Sequence, residues 1–243
     1  IRHWAEVDFS TIKFESKSQE GFDDSKRMYV PYNKGGAYRK WYGNNEYVLM
    51  WREDKRTEMS NKKGHVRPSQ HLYFLPTIEW SLISSGKFGA RVSKQGVLND
   101  VASHYLQSDS ELINYTAMGI FNSKLGHFFL SLLNPTLNFS SGVVARVPYL
   151  PEVELDIINA VKRLIEVAKY DWDLQEISQE FKVSLKAGQT GSLENFTNEF
   201  GEQQRHLILE ALKLENQVNE YLVSKFKLVG ELESRIILQD ITL

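Results

Sequence analysis

The sequence predicts an α+β fold, with a small mixed or antiparallel β domain carrying a buried helix over residues 1–150 and an all-α helical hairpin over residues 151–243. Three observations predict it. Short runs of β-branched and aromatic residues, punctuated by Gly, Pro and Asn, fill the chain before Leu112. A broad apolar stripe at helical spacing then runs over residues 112–133. Beyond Pro151 the apolar residues recur at steps of three and four, without strand-like alternation.

Taken in order, residues 4–14 alternate at Val7 and Phe9 and, after one slip, at Ile12 and Phe14, which predicts an opening strand or two. Residues 15–24 are polar and read as a loop. Residues 29–51, Y-V-P-Y-N-K-G-G-A-Y-R-K-W-Y-G-N-N-E-Y-V-L-M-W, interleave aromatic, basic and amide side chains more densely than any other stretch. Gly35-Gly36 and Gly43-Asn44-Asn45 are turn chemistry suited to positive φ. The second turn is expected to fold residues 38–41 back on residues 47–51, holding Lys34, Arg39 and Lys40 on or beside a rigid ribbon of the kind that enters a DNA groove. An exposed hairpin with a half-buried aromatic face is the plainer reading of the same residues.

Residues 52–67 read as a short solvated helix and loop. After Pro68, residues 71–75, 78–83, 88–92 and 97–101 predict a meander of short strands. The apolar stripe of residues 112–133 predicts one largely buried helix, stopped by Asn134-Pro135. A loop at residues 138–142 and a final strand over 143–148 complete the first domain. Val153, Ile157, Val161, Leu164 and Ala168 mark an amphipathic helix over 152–170. Leu207, Ala211, Leu214, Val218 and Tyr221 mark the seam of a long helix over 193–228, and the two helices are expected to pair antiparallel.

With 42% hydrophobic and 25% charged residues, the composition is that of a soluble globular protein, and no apolar run is long enough to span a bilayer. The absence of cysteine excludes a disulfide framework, a zinc ribbon and a thiol nucleophile, and fits a cytoplasmic setting. Without an initiator Met, and with an abrupt end at Leu243, the chain is expected to be a fragment of something longer. The net charge of -2 conceals a polarity along the chain: 17 basic against 12 acidic residues over 1–100, but 10 against 17 over 151–243. Residues 26–67 alone carry 11 basic and 4 acidic residues, so a polyanion would meet this end first. A solvated charged face accounts for the same numbers.

The sequence has no G-x-x-x-x-G-K-[ST], G-x-S-x-G or H-E-x-x-H, and its six histidines show no ligand spacing. Asp8, Glu15 and Lys17 form a weak nuclease-like pattern, two acids for Mg²⁺ and a lysine for the attacking water.

The segment P-Y-N-K-G-G-A-Y-R-K-W-Y-G-N-N-E-Y-V closely resembles part of the large BREX-type, PglX-like adenine-specific DNA methyltransferases, and a similar segment occurs in fused restriction-modification enzymes. Residues 84–91 (S-S-G-K-F-G-A-R), the stretch from Leu132 through Asn134-Pro135 to Pro148, and Asp171-Trp172-Asp173 resemble further elements of the same family. In that family these elements follow the catalytic domain, in the region that recognises the DNA target. The resemblance implies that 1–150 is a target-recognition domain and 151–243 a helical C-terminal domain. The parent protein would be an adenine-N6 methyltransferase of phage defence. The chain has neither the Asp/Asn-Pro-Pro-aromatic loop that amino-methylation needs nor a Gly-rich turn for S-adenosylmethionine. By the resemblance, that cofactor belongs on the missing catalytic domain, and this fragment alone is expected to be inactive, with no metal or cofactor of its own.

The expected DNA-contacting residues follow from these motifs. Lys34, Arg39, Lys40, Lys62, Lys63 and Arg67 are assigned to phosphates. Arg39, Asn44, Asn45, Lys87 and Arg91 are assigned to base edges. Asn33, Trp41, Tyr42, Asn138, Ser141 and Arg146 complete the interface, with the loop at 138–142 offering amide and hydroxyl groups. Double-stranded DNA and the protein's own N-terminal methyltransferase domain are the expected partners, and other defence proteins or a DNA-mimicking phage inhibitor are further ones. Two alternatives stay open on the sequence: a non-catalytic protein-interaction module using the acidic helical half, and a Mg²⁺-dependent nuclease built on Asp8, Glu15 and Lys17.

Overall fold

The computed structural model describes residues 1–66, 69–84, 87–134, 136–181 and 192–243. It is a mixed α+β region with two small sheets, followed by a helical region. The first sheet has the order β1-β3-β2-β6, built from β1 (Arg2–His3), β2 (Tyr29–Asn33), β3 (Tyr47–Met50) and β6 (Leu98–Asn99). The second has the order β5-β4-β7, from β4 (Thr77–Ser81), β5 (Ala90–Ser93) and β7 (Ser103–Leu106), and is antiparallel throughout. Short helices α1 (Gln19–Asp24) and α2 (Glu53–Ser60) flank the first sheet.

Several expectations are corrected. The opening strand is confined to β1, and residues 4–14 instead form two 3-10 turns, Trp4–Glu6 and Phe9–Thr11. His3 Nδ1 accepts from the Ala5 N–H at 3.3 Å and Asp8 Oδ1 from the Ser10 N–H at 2.9 Å, local bonds that draw the backbone away from a ladder. Residues 38–41 do not pair with 47–51. Positive φ at Trp41 (70°), Gly43 (128°) and Asn44 (60°) bends this part out of any strand. β3 pairs antiparallel with β2 instead, Tyr32 opposite Tyr47 and Tyr29 opposite Met50. The loop between them reaches across to β5, where Trp41 receives the Val92 N–H at 2.9 Å and donates its own to Ala90 at 2.8 Å.

The expected meander is split. Residues 98–99 leave the second sheet and run parallel to β2, Tyr32 beside Leu98 and Asn33 beside Asn99. Residues 71–75 form no strand, because Gln70–Leu72 closes a 3-10 turn and Phe74 takes a left-handed φ of 66°. The long helix is two: α3 (Glu111–Asn122) and α4 (Lys124–Leu133). Ser123 is extended, and its Oγ accepts from the Gly126 N–H at 3.0 Å as the cap of α4. A Cβ at Gly126 would collide with the Ile120 carbonyl, so only glycine lets α4 start this close to α3. Residues 143–148 are not a strand either: α5 (Ser141–Val144) begins there, burying Val144 and then Val147. Pro135, the expected helix stop, lies outside the described residues, as do Ser85 and Gly86.

The helical region is α6 (Leu155–Asp173) and α7 (Leu193–Lys225). Glu154 pairs with Lys225, Arg163 with Glu210, and Gln203 donates to Tyr170 Oη at 3.0 Å, a register that runs antiparallel. Ile157, Val161, Leu164 and Ala168 on α6 are buried, and so are Ala211, Val218 and Leu222 on α7. One apolar cluster includes these residues together with Trp41, Ile78, Trp80, Phe88, Phe121 and Phe139, so the core is continuous across residue 150. A smaller cluster of Phe22, Val30, Leu49, Trp51, Phe74 and Leu98 lies against the first sheet. Among the described residues no helix is long and apolar enough to cross a membrane.

Candidate nucleic-acid interface

The aromatic and basic stretch around residue 40 meets the helical region. Lys40 is 2% exposed and its Nζ donates to Glu215 on α7. The other Glu215 oxygen accepts from Trp41 Nε1 at 2.8 Å. Burial pushes the Glu215 carboxyl up from its ordinary value, and Lys40 pulls it back down. Arg39 donates to the Tyr42 carbonyl at 2.8 Å and to Asp171 on α6 at 2.5 Å, with its guanidinium over the Trp172 ring. Asn45 accepts from Trp172 Nε1 and donates to Tyr42 Oη at 3.1 Å. Asn44 is buried and donates to the Ala37 carbonyl at 2.8 Å. These side chains are brought together, and what they grip is α6 and α7.

Arg91 is also interior, 1% exposed, with Nε 3.4 Å from Glu79 Oε1. Glu79, equally buried, is pushed up to about 7 by desolvation against the opposing pull of Arg91. Asn33 is buried and donates to Ser93 Oγ at 2.9 Å and Asn99 Oδ1 at 3.1 Å, tying the two sheets. In this conformation Lys40, Trp41, Tyr42, Asn33, Asn44 and Arg91 have no surface to offer a duplex.

The other expected contacts are exposed but scattered over different elements. Lys34 stands over the Tyr47 ring. Lys87 lies 3.9 Å from Asp240 and over the Tyr38 ring. Asn138 bridges to Ile83, Ser141 meets His104 Nδ1 at 2.8 Å, and Arg146 follows α5. Lys62 and Lys63 follow α2, Lys62 being 3.1 Å from Glu58. Arg67 lies outside the described residues. Arg56 grips Asp23 at 2.8 Å and joins α2 to α1, and Lys26 and Arg27, just after α1, are exposed. The nuclease-like residues do different work: Asp8 caps a turn, while Glu15 is exposed at a left-handed φ of 55°. Among the described residues no three His, Asp or Glu side chains gather as a metal site.

Beside the seam lies a cleft of about 240 Å³, lined from β2, β5 and residues 179–180 after α6. Glu180 closes one side through Lys94 and Lys169. Sequence reasoning found neither the cleft nor the buried acids Glu79 and Glu215. Their signal, an acid inside an apolar helical or strand pattern, exists at both positions but acquires meaning only with the partner in place.

No family model matches the chain. It is 34% identical over 193 residues to the adenine-specific methyltransferase PglX of Lacticaseibacillus casei (strain Zhang), covering 76% of this chain and 16% of that protein. It is 28% identical over 224 residues to the adenine-specific methyltransferase BrxX of Escherichia coli O9:H4 (strain HS), covering 91% of this chain and 18% of that protein. The chain thus spans less than a fifth of the length of either relative. Over that portion it is a distant homologue of the PglX and BrxX methyltransferases.

Proposed function

We propose that the chain is the DNA target-reading part of an adenine-specific DNA methyltransferase that marks self DNA in phage defence, acting beside a separate catalytic domain that binds S-adenosylmethionine. The observation that carries the reading is the similarity to two adenine-specific methyltransferases over most of this chain, in a sequence without the Asp/Asn-Pro-Pro-aromatic loop. The exposed Lys26, Arg27, Lys62 and Lys63 would meet the duplex, with Lys34, Lys87, Asn138 and Arg146 as outlying contacts. Lys40 and Arg91 contribute by holding the fold in shape, since each is committed to a buried acid.

The test is affinity for a random-sequence duplex as a function of salt, for the chain and for a Lys62→Ala/Lys63→Ala variant. The chain's affinity should fall steeply with salt. The variant's log–log slope should be shallower by about 2, at roughly 0.9 per phosphate contact. Absence of binding at low salt would overturn the reading.

A further inference from the structure

The cleft beside the seam is lined by aromatic and polar side chains. Phe14 and Tyr32 line its walls, and its volume of about 240 Å³ is smaller than the roughly 300–1,000 Å³ of drug-sized sites. That suits a flat ligand of one or two rings. Gly96 fixes one corner: its φ is +91°, and a Cβ there would lie 2.6 Å from the Glu15 backbone nitrogen, so Phe14-Glu15 and the Gln95-Gly96 turn close on each other.

Among the polar groups lining the cleft, two carboxamides keep valences open. The Gln95 side chain has no hydrogen-bond partner among the described residues. Gln179 uses its amide nitrogen on the Tyr47 carbonyl, and its side-chain oxygen accepts from no described residue. Carboxamides both donate and accept, which matches the mixed edge of a nucleobase. Of the charges lining it, Glu180 pairs with Lys94 and Lys169 and Glu79 with Arg91, while the exposed Glu15 forms no ion pair with a described residue. Lys94 on the cleft wall is committed to Glu180, so a phosphate or carboxylate would meet no unpaired cation among the described residues here.

We propose that this cleft takes a neutral purine base, stacked on Phe14 and Tyr32 and read at its edge by Gln95 and Gln179. The base comes either from a free nucleoside or from a DNA strand that presents one, and the second source rests on the DNA-reading function proposed above.

The test uses 2-aminopurine fluorescence in two arms, with the free riboside and with a duplex carrying 2-aminopurine at each position in turn. Gln95→Ala removes a side chain that no described residue engages, and Gln95→Trp fills the cleft. The wild type should bind with a change in fluorescence, and Gln95→Ala should weaken binding about tenfold, the worth of one or two neutral hydrogen bonds. Gln95→Trp should abolish it. In wild type alone, adenosine should displace the riboside and ribose 5-phosphate should not. A response to the riboside identifies a free ligand, and a response confined to particular duplex positions identifies a base presented by DNA. No response in either arm, or one that both variants leave unchanged, overturns the inference. Salt-dependent duplex binding that persists without a 2-aminopurine response overturns it alone and leaves the DNA-reading function standing. Riboside binding without duplex binding does the reverse.

Discussion

Lys40 donates to Glu215 where each side chain keeps only 2% of its surface, and Trp41 supplies the hydrogen bond to the second carboxylate oxygen. A buried pair of this kind gives little net stability over an apolar replacement, but removing one member strands a charge and costs about 3–5 kcal/mol. Lys40→Ala should therefore lose about that much in urea unfolding, and Lys40→Met/Glu215→Leu should recover most of it. A loss below about 1 kcal/mol in the single variant would mean that the pair is not buried in solution. The sequence shows the residues of this seam, Arg39, Lys40, Trp41 and Asn45, as its densest cluster of chemistry, yet their partners lie more than 100 positions away. A basic side chain beside a glycine turn reads as a surface contact until a carboxylate from another element is placed on it. That is why the cluster was legible and its occupation by α6 and α7 was not.

Among the elements, the two long C-terminal helices were legible because their apolar residues keep helical spacing over many turns, with ends displaced by a few residues. The break between α3 and α4 was not, since the apolar stripe continues through it and the corner depends on the Ser123 cap and the small Gly126. The break turns α4 so that His127 Nε2 lies 2.7 Å from the Phe88 carbonyl just before β5. The carbonyl can only accept, so the imidazole must donate. Burial holds His127 well below its ordinary value, at about 4, with Lys40 and Lys87 adding to the depression. The unfolded chain, with an ordinary histidine near 6.5, then binds more protons than the folded one between these two values. The contribution is present above pH ~6.5 and lost as pH falls through about 4, up to roughly 3 kcal/mol in all. His127→Gln keeps an N–H donor and does not titrate. The stability of wild type relative to this variant should decline from pH 6.5 to 4, read from urea midpoints at each pH. A constant difference would show that the imidazole is free to protonate. Taking the difference removes Glu79, whose raised value works in the opposite sense, its contribution being lost as pH rises through about 7.

For the molecule as a whole, the sequence divides more readily than the structure does. Charge and hydrophobic period both change near residue 150, which is what a sequence can display, but burial crosses that point. Trp41, Ile78 and Phe121 share a cluster with Leu164, Trp172 and Val218, and Asn219 on α7 accepts the Lys124 N–H that opens α4 at 2.8 Å. The C-terminal segment returns as well, Thr242 accepting the Lys40 N–H at 3.1 Å and Leu243 packing on the same cluster. Neither half can lose its packing without uncovering apolar surface and stranding buried charges of the other, the condition for cooperative unfolding. Urea unfolding should therefore give one transition, with tryptophan fluorescence, dominated by Trp41, Trp80 and Trp172 in the shared core, and helical circular dichroism, dominated by α6 and α7, superimposing at one midpoint. A chain cut to residues 1–150 should melt without a cooperative transition, because it leaves Arg39 and Lys40 without Asp171 and Glu215 and bares the face of α3 that α6 covers. Two resolved midpoints, or a cooperative melt of the shortened chain, would show that the seam is a docking contact between independent units and that the motif around residue 40 is free to open toward a ligand.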